Sequence, residues 1–185
     1  MLTLLATACS AGKKHGSTAA TTSSSSSAPG APLQISLTTG ARGPERGFNA
    51  TAAAKQAAPG LQQFLNRYVT TAFLQPSEGK KGWSDLLVLF DPAVRTSAKQ
   101  QLDSLSLGSA AAQVTTMRPG RADAKAVALF RGGHVVAATV QLAFNATADT
   151  AQGSGPIQLH AVFQLLRSNA GWRIASFKSS TGSSP

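Results

Sequence analysis

Residues 124–144 read AKAVALFRGGHVVAATVQLAF, and the fold turns on this stretch. Two apolar runs flank Arg131-Gly132-Gly133-His134. A Gly-Gly pair supplies the positive φ angles that a tight two-residue hairpin requires. Ala124 to Phe130 is therefore predicted as a strand, with Ala112 to Met117 as a further one ahead of it. Val135 to Thr147 alternates, placing Val136, Ala138, Val140, Leu142 and Phe144 on one face. Asp149 to Gly155 reads as loop. Ile157 to Arg167 is the next strand, with Ile157, Leu159, Ala161, Phe163 and Leu165 on one side. Ser168-Asn169-Ala170-Gly171 turns the chain again, and Trp172 to Lys178 is the last strand.

Upstream the period changes from two to 3.6. Leu61, Phe64, Leu65, Tyr68, Val69, Ala72 and Phe73 form one apolar stripe over three turns of helix. That helix should stop before Pro76, and Pro59-Gly60 should break any helix begun in the Ala-rich run Ala50 to Ala58. A second helix is predicted over Trp83 to Phe90. A third opens at Asp91-Pro92, an N-cap followed by proline at the first helical position, and closes at Leu107-Gly108. Leu33 to Leu37 alternates as a short strand does, and Gly40 to Gly47 reads as loop.

Helices first and a strand meander after them define an α+β class: N-terminal helices packed on a curved antiparallel sheet of three to five strands. The order of elements from Pro59 to Lys178 resembles the nuclear-transport-factor-2-like cone fold. The segment Gly171-Trp172-Arg173-Ile174-Ala175-Ser176-Phe177 is similar to the closing strand of that superfamily, which includes SnoaL-like and Mce-associated proteins. The resemblance implies a cone whose interior holds a ligand or, in enzymes, a working Asp, His or Tyr. A shared fold does not deliver a function.

The first 32 residues have another character. Met1-Leu2-Thr3-Leu4-Leu5-Ala6-Thr7-Ala8-Cys9 is a short apolar run ending in small residues before the chain's single cysteine. It resembles a bacterial lipobox, which implies a diacylglyceryl group on Cys9 and cleavage just ahead of it. Two acyl chains anchor far more firmly than one, because each buried CH₂ contributes about 0.8 kcal/mol. A signal peptide requires a positive n-region, yet no Lys or Arg precedes Cys9 and the apolar run is short, so the export signal is expected to begin upstream of Met1. The plainer reading is a cytoplasmic chain with an ordinary cysteine. Ser10 to Pro32 lacks Val, Ile, Leu, Phe, Tyr and Trp and includes five consecutive serines, Ser23 to Ser27. Such a segment cannot bury enough apolar surface to offset chain entropy. As a flexible tether it would span about 25–30 Å. The expected organisation is thus a partial signal and lipobox over 1–9, a tether over 10–32, one domain over 33–180 and a frayed tail over 181–185. The expected location is the extracytoplasmic face of the cell membrane.

Charge excludes some partners. Seventeen Lys and Arg face seven Asp and Glu, for a formal +10. The cations are dispersed, the adjacent pairs being Lys13-Lys14 and Lys80-Lys81, and no basic run is interleaved with aromatics. This argues against nucleic acid and fits an anionic membrane surface or polymer.

Candidate chemistry is thin. Glu45, Glu78 and Asp149 read as loop, Asp91 as a cap, Asp85 and Asp103 as exposed helix positions, and Asp123 as a strand start. None falls mid-strand on an apolar face, where burial would raise a carboxylate for general-base use. His160 lies mid-strand on the face shared with Gln158, Val162, Gln164 and Leu166, and it is the weak candidate for catalysis. Tyr68 and Trp83 would line a cone mouth with His160 as ligand-binding residues, or else are core aromatics. No metal-ligand spacing, nucleophile elbow, phosphate loop or dinucleotide fingerprint appears, so neither metal nor cofactor is expected. The expected function is a non-catalytic domain, held at the membrane by its lipid anchor, that binds a small apolar ligand or an envelope protein; a homodimer through the sheet stays open. The alternative is an isomerase or dehydratase of the same fold with His160 as base.

Overall fold

The computed structural model describes residues 33–75 and 79–183. The expected lipobox with Cys9 and the expected tether over 10–32 lie outside the described residues.

Four long strands follow one another through tight turns: β2 (Val114–Arg131), β3 (His134–Thr150), β4 (Gly153–Ser168) and β5 (Gly171–Ser183). Each is antiparallel to its neighbour. Gly132 and Gly133 turn β2 into β3 with φ of 59° and 76°, the pair of positive angles that matches strand twist. The expected loop at 149–155 is mostly strand, because β3 runs to Thr150 and β4 starts at Gly153. The two β2 segments expected from the sequence are one strand, carried past Pro119 by a register shift between Pro119 and Ala122. A proline, which cannot donate to the ladder, is tolerated at such a bulge. Residues Thr181 to Ser183, expected as tail, continue β5, and the Thr181 hydroxyl donates to the Asp103 carbonyl at 2.9 Å.

The sheet has a fifth member, and its direction corrects the antiparallel expectation. β1 (Ile35–Arg42) lies beside β2 and runs parallel to it, in the order β1-β2-β3-β4-β5. The helical region between them is a crossover that returns the chain in its original direction, as a parallel pair requires. The sheet is therefore mixed and curved, with helices on one face. Residues expected as loop, Gly40 to Arg42, belong to β1.

α1 spans Ala50–Val69 and continues as a π-helical turn over Thr70–Leu74. Asn49 caps it by accepting from the Ala52 N–H at 3.0 Å. Pro59 sits inside α1, contrary to the expected break. Ala53, Ala57, Leu61, Phe64, Leu65, Tyr68 and Val69 bury one continuous face, which outweighs the ~3 kcal/mol that an interior proline costs. α2 (Gly79–Val88) follows. A 3₁₀ turn over Pro92–Val94 is capped by the Asp91 carboxylate, which accepts from the Ala93 N–H at 3.0 Å; α3 (Arg95–Gln100) and α4 (Leu102–Leu105) complete the layer.

The core lies between the two layers. β2 contributes Ala122, Ala124, Ala126 and Ala128, all buried, whose small side chains let helices approach closely. β3 contributes Val140, Leu142 and Phe144, and β4 contributes Leu159, Phe163 and Leu165. Aromatic pairs tie the layers: Tyr68 meets Phe163 edge-on at 4.9 Å, Phe73 meets Phe144 at 5.2 Å, and Phe90 meets Phe177 at 5.5 Å. Leu89 and Asp91 also bond the backbone of Ile174, so the 89–91 segment covers part of the β5 edge.

Candidate functional site

Strand alternation sends every second side chain of β2–β5 away from the helices. On that open face two neighbouring rungs of the ladder run across four strands. One is Asp123–Ala143–His160–Ser180, and the other is Lys125–Gln141–Val162–Lys178. Together they line a trough of about 490 Å³, within the range of small-molecule sites. Its floor is Gln141, Ala143, His160 and Val162 on the two middle strands, and its flanks carry Asp123 and Lys125 on one side and Lys178 and Ser180 on the other.

The polar groups are held at fixed spacings by the register. Asp123 and His160 share a rung with Ala143 between them, so their Cα atoms stand two strand spacings apart, about 10 Å. The Asp123 carboxylate is paired instead with the Arg121 guanidinium. Lys125 and Lys178 lie three spacings apart, about 14 Å, on either side of Gln141 and Val162. Val162 is 40% exposed.

The predicted site residues do not come together. His160 is on the open face and lines the trough. Tyr68 lies in the core on the other side of the sheet, against Phe163, and donates to the Leu105 carbonyl at 2.6 Å. Burial pushes its phenol well above the ordinary range, so the ring is a neutral donor. Trp83 is half-buried on α2, in the helical layer. The space beneath the helices, where the cone resemblance put a ligand, is filled by Tyr68, Phe73, Phe144 and Phe163.

Two placements differ from the sequence reading of the acids. Asp123 is mid-strand rather than at a strand start, because β2 begins at Val114. Asp149, expected in a loop, is the penultimate residue of β3, accepting from the Ser154 hydroxyl and from Arg118, whose Nη2 is 2.7 Å away. Lys125, Gln141 and Lys178 escaped the sequence reading. The signal that could have found them is the pairing register, which sets positions 125, 141 and 178 on one line and cannot be read from any one strand.

Among the described residues no group of three or more His, Cys, Asp and Glu side chains is arranged to hold a metal ion, and no helix is long and apolar enough to cross a membrane. Comparison with protein-family models, with curated proteins and with solved structures finds no match for this chain.

Proposed function

We propose that the chain is a lipid-anchored protein of the cell envelope whose folded domain binds a ligand on the open face of its sheet and catalyses no reaction. The observation that carries this reading is the trough, a concavity of ligand size that mixes apolar surface with a few polar side chains at fixed spacings, built on four paired strands rather than on loops. The helices-then-meander order supports a cone-like architecture related to the nuclear-transport-factor-2-like proteins. On this reading ligand is taken on the sheet's uncovered side, since aromatic side chains occupy the covered one. Cys9 would carry the anchor and Ser10 to Pro32 the tether.

The test is binding of the neutral fluorophore N-phenyl-1-naphthylamine to the full chain, with native mass spectrometry for co-purified small molecules. Ala143→Trp puts a large side chain on the trough floor and should abolish saturable probe binding while leaving the circular dichroism spectrum unchanged. Undiminished binding by that variant counts against the trough. For the anchor, mass spectrometry of the native N-terminus should find a diacylglyceryl group on Cys9, and a free Cys9 thiol in the cytosol removes this part of the reading.

One observation favours an isomerase- or dehydratase-like reading: His160 and Asp123 line the same trough. The register works against it, because the two Cα atoms stand about 10 Å apart and the Asp123 carboxylate is paired with Arg121 rather than holding the imidazole. His160→Ala, an exposed substitution away from caps and core, should leave folding stability within about 0.5 kcal/mol, so a loss of any purified isomerase or dehydratase activity in that variant would favour the catalytic reading.

A further inference from the structure

The ligand class follows from what the open face offers beyond the trough itself. Two kinds of group stand there without partners. Lys125 and Lys178 are exposed and, among the described residues, make neither an ion pair nor a hydrogen bond. The two acids on this face are already matched, Asp123 to Arg121 and Asp149 to Arg118. The lysine rung therefore carries uncompensated positive charge. The second kind is apolar. Of the five large hydrophobic residues that are exposed among the described residues, four lie on this face: Val162 at 40%, Val127 at 44%, Leu166 at 48% and Leu129 at 49%. Single exposed hydrophobics need no explanation, but a cluster on one face does. The register sets them in sequence, with Val162 on the lysine rung, Val127 on the next, and Leu129 and Leu166 on the one beyond.

We propose that this face binds an anionic amphiphile, a molecule with one carboxylate or phosphate head and an alkyl body, with its head in the trough at Lys125 and Lys178 and its body leaving the trough over Val162 toward Leu166 and Leu129. This rests on the trough being the domain's ligand site. Flexible four-carbon stems let both ammonium groups swing over the trough toward one head. Two other occupants fit less well. A second copy stacked face to face sets cationic surfaces against each other, with the acids already paired. A flat anionic bilayer meets the rims of a concave site and leaves its floor empty.

The experiment is calorimetric titration of the full chain with decanoate, decyl phosphate, decanol and inorganic phosphate, each amphiphile below its micelle-forming concentration. Decanoate and decyl phosphate should saturate at one per chain, with decanol and inorganic phosphate each at least tenfold weaker. Joint replacement Lys125→Gln and Lys178→Gln should weaken both anionic amphiphiles about tenfold, two exposed charge contacts of up to about 1 kcal/mol each, and leave decanol unchanged. Arg173→Gln removes the cation on the Leu166 rung, outside the trough, and should change little. Decanol binding as tightly as decanoate, with no response to the lysine pair, would overturn the anionic class while leaving the trough as an apolar site. An equal loss in Arg173→Gln would overturn it in favour of diffuse charge. Binding only to phosphatidylglycerol vesicles would overturn it in favour of a membrane contact. Saturable binding of none of these probes, N-phenyl-1-naphthylamine included, would sink both this inference and the binding function beneath it.

Discussion

Tyr68 joins two elements with one hydroxyl, running from α1 to the backbone of α4 at Leu105. Tyr68→Phe keeps the ring against Phe163 and strands the carbonyl, so stability should fall by about 1–2 kcal/mol. Urea unfolding measures this loss, and unchanged N-phenyl-1-naphthylamine affinity in the same variant separates a core role from a ligand-lining one. Gly108 is the second residue whose chemistry is dictated locally. It adopts φ of +48°, and a Cβ there would run into the Asp103 carboxylate that accepts from the Ser109 N–H at 2.8 Å. Gly108→Ala should cost about 1–3 kcal/mol, read as a drop in melting temperature. Asp149 makes stability depend on pH. The Ser154 hydroxyl first, and the Arg118 guanidinium with it, hold its carboxyl below the ordinary range. A lowered folded value means that its contribution is complete above about pH 4 and is lost as pH falls through the folded value. Asp149→Asn should therefore be less stable than the parent at pH 7, and the gap in urea midpoint should narrow as pH falls below about 4.

At the scale of elements, α1 shows what a local rule cannot weigh. Pro59 reads as a stop in any window around it, yet the stripe that continues through Ala57, Leu61 and Leu65 is buried along its whole length. Pro59→Ala restores a backbone donor within the helix and should raise stability by about 1–2 kcal/mol, after allowance for the freer unfolded chain. A melting temperature unchanged or lowered by this substitution contradicts that account. The strands were legible where apolar and polar residues alternate strictly, as in β4, and where Gly-Gly marks a hairpin. β1 was half legible: Ile35 and Leu37 alternate with polar residues, but Thr39-Gly40 resembles loop and nothing in eight residues states which strand they join or in which direction. The trough was less legible still. His160 was singled out within its own strand, but Lys125 and Lys178 acquire meaning only when pairing sets them on one line across β2–β5.

For the whole molecule, the sheet order predicts how stability is distributed. β3 and β4 are paired on both sides and face the core, whereas β1 is bonded only to β2 along one edge. Local opening is graded by such differences. Hydrogen exchange should be slowest in peptides covering Ala138 to Ala148 and Leu159 to Leu165. Ile35 to Arg42 should exchange at least about tenfold sooner. Equal protection across these peptides would mean that β1 opens only with the whole domain.

The parallel placement of β1 also sets the polarity of the molecule. Ile35 is aligned with Ala122, and that rung continues through Phe144 and Leu159 to Thr181. The two ends of the folded domain therefore point the same way along the sheet, on opposite margins, four strand spacings or about 19 Å apart. The Gly132–Gly133 hairpin and the Asn169–Ala170 turn cap the opposite end of the sheet. Anything joined ahead of Leu33 and anything fused behind Ser183 would therefore extend in one direction, away from those two tips.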